Sequence, residues 1–171
     1  MTNLQLTSFA FPPDGEIPRK CGYKNGNVSP HLTISGIPEG TKSLALIMDD
    51  PDAMEPAGKV WVHWVFWNFD PTPFYNQHGK YKAEITEDFR RETYKILTGK
   101  EDLTEGITDF GEIGYGGPAP PDKRHTYVFK LYALDSELDL PDKSTKADLE
   151  KAMEGHIIEQ TQLTGTYAPD Q

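Results

Sequence analysis

The nine residues Trp61–Phe69, WVHWVFWNF, restrict the fold more than any other stretch, because they hold three Trp, two Phe and two Val. Aromatic and β-branched side chains favour extended backbone. With a two-residue period, Trp61, His63, Val65 and Trp67 share one face, and Val62, Trp64 and Phe66 share the other. A strand that is apolar on both faces belongs inside a sheet covered on both sides. The reading is therefore a layered, mainly β fold, and other stretches agree with it. Residues 44–48 form a short apolar run that stops at Asp49-Asp50-Pro51-Asp52, as a buried strand stops at a turn. Residues 126–134 alternate Tyr127, Phe129 and Leu131 with Val128, Lys130 and Tyr132, with His125 just ahead. Thr161, Leu163, Gly165 and Tyr167 alternate like a terminal strand.

Helix is expected late. Ser144 or Thr145 can cap a helix whose apolar positions Leu149, Ala152, Met153, His156 and Ile157 carry it to about residue 160. Residues 84–97 also place Ile85, Phe89, Thr93, Ile96 and Leu97 on one helical face. The run GEIGYGGPAPP at residues 111–121 is neither helix nor central strand, since its prolines lack amide donors, and it reads as a shaped loop. At 171 residues, one domain spanning residues 1–171 is the expectation.

Charge and cysteine usage exclude several functions. The formal charge is −10, which disfavours nucleic acid as a partner. That acidity lies in residues 84–112 and 135–159, each at −5, whereas residues 113–134 are locally +2 and compatible with one small anion. Cys21 is the only cysteine, so no internal disulfide or cysteine zinc cluster forms; it reads as a small core filler in a cytoplasmic, reducing setting. No secretory signal is read at the start, and no apolar run approaches the roughly 20 residues needed for membrane insertion.

Three titratable groups stand out: Asp49, Asp50 and Asp52 in a turn, His63 within the aromatic strand, and His125 after the Gly/Pro loop. Aspartates beside proline commonly accept turn amides, and a strand histidine is commonly a hydrogen-bonded core group. A buried His63 needs a partner, and Asp50 is the expected companion. Asp50, His63 and His125 also compose a two-His, one-carboxylate set, the alternative reading as a metal-dependent enzyme. A hydrolase is disfavoured by the lack of a Gly-x-Ser-x-Gly elbow. Lys123-Arg124 reads as a solvated loop tip.

These stretches together carry a resemblance. Asn27-Val28-Ser29-Pro30-His31-Leu32, Gly36-Ile37-Pro38-Glu39-Gly40, Asp50-Pro51-Asp52-Ala53, Trp61-Val62-His63-Trp64, Gly114-Tyr115-Gly116-Gly117-Pro118-Ala119-Pro120-Pro121 and His125-Thr126-Tyr127-Val128-Phe129 occur in order. In this, and in Leu163-Thr164-Gly165-Thr166-Tyr167, the chain resembles the phosphatidylethanolamine-binding protein family, in its prokaryotic Raf kinase inhibitor-like branch. The resemblance implies two antiparallel sheets in a Greek-key β-sandwich with a few peripheral helices, one of them near the C-terminus. It implies a non-enzymatic pocket for phosphate, phosphoethanolamine or a similar headgroup, with no cofactor and with a kinase or serine protease as possible protein partner. By motif, the pocket draws on Asp50, Asp52, His63, Gly117, Ala119, His125 and Tyr127. Two imidazoles would each donate an N–H to the anion. The aspartate would fix a tautomer, receive an ammonium group or share a proton with the ligand.

Three positions depart from the family pattern. Met54 stands where proline ends the turn, Thr126 where many members carry arginine, and Ala119 where the branch often has cysteine. Residues 74–104 form a longer, more charged insert than the motifs around it require, read as solvated decoration, with a lid or a homodimer contact as alternatives.

Overall fold

The computed structural model describes residues 3–170. Its strands are β1 (Gln5–Thr7), β2 (Gly15–Glu16), β3 (Leu32–Ser35), β4 (Ser43–Asp50), β5 (Trp61–Phe69), β6 (Ala83–Ile85), β7 (Thr104–Glu105), β8 (His125–Leu134) and β9 (Ile157–Tyr167). The helices are α1 (Met54–Ala57), α2 (Tyr75–His78), α3 (Arg91–Thr98) and α4 (Lys146–Met153). The larger sheet runs β2-β9-β8-β4-β5-β7 and the smaller β1-β3-β6. Pairing is antiparallel throughout, apart from the two-residue parallel contact of β2 with β9.

Strand β4 is buried along its whole length because its two faces meet two different layers. Leu44, Leu46 and Met48 enter a cluster with Leu32, Ile34 and Ile85 of the small sheet. Ala45 and Ile47 enter a second cluster with Leu149 and Met153 of α4. The large sheet is thus covered by strands on one side and by a helix on the other, as the two-faced apolar pattern of β5 requires.

Strand β5 spans the expected residues, but its faces are not simply alternating. Trp64, Phe66 and Phe69 join the first cluster, whereas Val62, Val65 and Trp67 pack with the second. Two irregularities cause this. The pairing to β4 slips between Met48 opposite Trp64 and Asp49 opposite Val62, and slips again near Asn68, whose φ of 60° is left-handed. The first bulge turns Trp61 and His63 away from Val65 and Trp67 and toward Tyr127 on β8.

Both predicted helices are shorter than expected. α4 is capped by Thr145, whose Oγ1 accepts from the Asp148 amide at 3.1 Å while Asp148 Oδ2 accepts from the Thr145 amide at 2.9 Å. It ends at Met153; Gly155, at φ 80°, redirects the chain, so His156 and Ile157 leave the helix and Ile157 begins β9. Removing the reciprocal cap with Thr145→Ala is expected to cost about 1 kcal/mol, read as a lowered urea midpoint at unchanged slope. The helix expected from residue 84 starts only at Arg91, because residues 83–85 pair with β3 instead.

The insert at residues 74–104 is not decoration. It buries Phe74, Ala83, Ile85, Phe89, Tyr94 and Leu103 in the first cluster. The Tyr94 hydroxyl donates to Asp102 Oδ1 at 2.8 Å and accepts from the Asp70 amide at 3.1 Å. The charged residues that dominate its composition lie on its outer side, where Lys95 pairs with Glu101 and Lys100 with Asp70.

Candidate functional site

The ends of β4, β5 and β8 converge on a cavity of about 190 Å³. Its polar members are Asp50, His63, His125 and Tyr127, all buried. Its apolar members are Ala53, Pro56, Ala57, Trp61, Phe110, Ala119 and Pro121. Alternation brings these groups together: Asp50 continues the Leu46–Met48 face of β4, and His125 precedes Tyr127 by one period on β8.

The Asp50 carboxylate bonds His125, not His63. His125 Nδ1 donates to Asp50 Oδ2 at 2.6 Å, and His125 Nε2 donates to Asp122 Oδ1 at 2.7 Å. Burial opposes charge on this imidazole, but the two carboxylates outweigh burial and hold its pKa above the ordinary histidine value. Burial also raises the Asp50 pKa, against the opposing pull of His125. His63 meets a different environment. Its Nδ1 lies 2.6 Å from the Gly116 carbonyl oxygen, and desolvation pushes its pKa down to about 4. Its ring stands edge-on to Tyr127 at 5.1 Å and to Phe110 at 5.4 Å between centroids. The Tyr127 hydroxyl lies near Asp50 and the Ala119 backbone but meets hydrogen-bond geometry with neither.

Among the motif residues, Asp50, His63, Ala119, His125 and Tyr127 line the cavity; Asp52 and Gly117 do not. The Asp52 amide donates to Asp50 Oδ1 at 2.9 Å and its Oδ2 accepts from the Thr126 amide at 2.8 Å, so it ties the turn to β8. The Gly117 amide donates to Asn27 Oδ1 at 2.7 Å, which seats the Gly/Pro loop beside Cys21, the last residue of a short 3-10 turn at Arg19–Cys21. Met54 opens the exposed helix α1 at the cavity's edge. Lys123 and Arg124 are exposed and pair with Glu55 and Glu16, as a solvated tip should.

Two expectations are corrected here. The imidazoles do not each present a free N–H, because both nitrogens of His125 are engaged by carboxylates and Nδ1 of His63 by a carbonyl. The two-His, one-carboxylate metal set is not assembled either: Asp50 and His125 are bonded to each other while His63 turns to Gly116. Among the described residues, no group of three or more His, Cys, Asp or Glu is disposed around a metal ion. Sequence reasoning missed Asp122 and Phe110. Asp122 had a signal, its placement three residues before His125; Phe110 had none.

The phosphatidylethanolamine-binding protein family profile matches residues 7–168. The chain belongs to that family. It is 38% identical over 164 residues to a UPF0098 protein of Methanothermobacter thermautotrophicus, covering 96% of this chain and 98% of the relative. A phosphatidylethanolamine-binding protein homolog of Chlamydia trachomatis superposes with a TM-score of 0.81 at 35% identity, over 99% of this chain and 100% of the other. YbcL of E. coli, described as a new member of the mammalian family, gives 0.80 at 32% identity over 98% and 99%. Among the described residues no helix is long and apolar enough to cross a membrane.

Proposed function

We propose that this member of the family is a non-enzymatic binding module whose cavity takes a small oxyanion, phosphate or a phosphate-bearing headgroup such as phosphoethanolamine. The observation that carries the reading is a buried, charged and hydrogen-bonding cluster, Asp50, His125, His63 and Tyr127, at the deep end of a small cavity with aromatic and proline walls. Buried polar groups of this density are costly unless they serve a ligand or one another, and the Tyr127 hydroxyl serves neither Asp50 nor Ala119 in good geometry. Helix α1 and the turn around Lys123 flank the cavity and give a kinase or serine protease a surface on which to sense occupancy. The single buried Cys21 suits a cytoplasmic, reducing setting.

The test is histidine-detected NMR during titration with inorganic phosphate and with phosphoethanolamine. The ring signals of His63 and His125 should both move at millimolar ligand. Silence of both rings would sink the assignment.

A further inference from the structure

Two unequal carboxylates hold His125. On its inner side Nδ1 donates to Asp50, the last residue of β4, whose side chain is 4% exposed and also accepts from the Asp52 amide. On its outer side Nε2 donates to Asp122, whose side chain is 34% exposed and stands in the bend before β8. Freeing His125 from Asp50 would strand a charge in a buried place. Freeing it from Asp122 would return that carboxylate to water, and ion pairs with an exposed partner are weak. The outer bond is thus the one a ligand can break. Asp122 lies in the chain between Pro121 and His125, which both line the cavity, although Asp122 itself does not.

Resting on the binding reading above, we propose that Asp122 is an internal stand-in for the ligand: its carboxylate holds the place of a phosphate oxygen on His125 and leaves when one arrives. The arriving oxygen accepts from Nε2. A second oxygen accepts from the Tyr127 hydroxyl, which lies in the same cavity without a hydrogen-bond partner. One anion replaces another, so the imidazolium keeps two anionic partners before and after, and no proton has to move. Phosphate monoesters and diesters both meet this requirement, because each carries an ionised oxygen. An uncharged hydroxyl compound does not. Asp122 therefore sets the affinity of the cavity, since every ligand binds net of the bond that it breaks.

Calorimetry on the intact chain tests this with inorganic phosphate and with glycerophosphoethanolamine, a diester of fixed charge. The titrations are run at about pH 6, below the ordinary histidine value, where Asp50 still supports a charged ring in the variants. Asp122→Ala should bind both compounds about tenfold more tightly than the wild-type chain, the worth of one partly exposed charge-assisted bond. Asp122→Asn still accepts from Nε2 but brings no charge, so it should lie between the two. A residue that only positions or charges His125 has the opposite sign, because its removal weakens binding. Should the variants fail to fold, carbon-detected NMR of the wild-type chain decides: at saturation the Asp122 carboxylate signal should move to that of a solvated aspartate. Equal or weaker binding by Asp122→Ala, or an unmoved Asp122 signal at saturation, would overturn the stand-in and leave the binding module intact. If neither the wild-type chain nor a folded variant binds either compound, the binding module itself falls.

Discussion

Gly117→Ala is expected to lose about 3 kcal/mol of stability, at the upper end for inserting a methyl group into a filled space. A Cβ built at Gly117 would sit 2.0 Å from the Cys21 carbonyl oxygen and 3.0 Å from two further backbone carbons. Those atoms are backbone, so no side-chain rotation relieves the clash. One of two segments must retreat: the Gly/Pro loop or the turn after Cys21. Either movement strains the bond from the Gly117 amide to Asn27, and it displaces Gly116, whose carbonyl holds the His63 tautomer. The variant should therefore show a lowered urea midpoint together with a shifted His63 ring signal. A folded variant with wild-type midpoint and an unmoved His63 signal would contradict this account. Gly117 thus shapes the cavity from outside it.

Stability should pass through a maximum near pH 6.5, because the two site histidines pull in opposite directions on either side of it. His63 is neutral when folded and holds its proton only near pH 4, whereas the unfolded residue titrates near 6.5. As pH falls through that window the unfolded chain gains a proton that the folded chain refuses. The loss reaches about 3 kcal/mol by pH 4. His125 has the reverse sign. Its pKa is raised in the folded chain, so its contribution is complete below 6.5 and fades as pH rises through the folded value. Urea midpoints measured from about pH 4 to about pH 9 should trace both limbs. His63→Gln keeps an N–H for the Gly116 carbonyl but does not titrate, so it should flatten the acid limb and spare the alkaline one. An unchanged acid limb in that variant would assign the acid loss elsewhere.

Much of the fold was legible in local pattern. Strand β5 covers the nine residues that its aromatic density marked, and β8 starts one residue ahead of its alternating run. What alternation alone could not show was the bulge opposite Asp49, which is a property of pairing between strands rather than of either strand. That bulge decides which way His63 points. Helix ends were misplaced for a related reason. Ile157 continues the apolar spacing of α4, but β8 offers it a strand partner at Leu134 and tertiary pairing wins. Charge dominates the composition of residues 74–104 because charges form its outer surface, while its buried residues are too widely spaced to register as one element.

The site was legible as membership and not as bonding. Motif order groups Asp50, His63, His125 and Tyr127, and all four line one cavity. Proximity in sequence to the aromatic strand suggested Asp50 for His63, but the antiparallel register of β4 with β8 sets Asp50 beside His125. Asp122 escaped notice because its role depends on how the loop closes over the start of β8.

The last two residues of β4 carry a further consequence. Asp49 faces the α4 layer and meets Lys130 at 3.2 Å and Lys146 at 2.7 Å, while Asp50 faces the cavity. Adjacent carboxylates are thereby committed to opposite sides of the sheet by parity alone. A one-residue insertion or deletion between Ser43 and Met48 would exchange their destinations, leaving two lysines against His125's former partner and placing the lysine-bound acid in the cavity. Chains of this architecture can change length in their loops, but the count of residues along β4 is part of the binding chemistry.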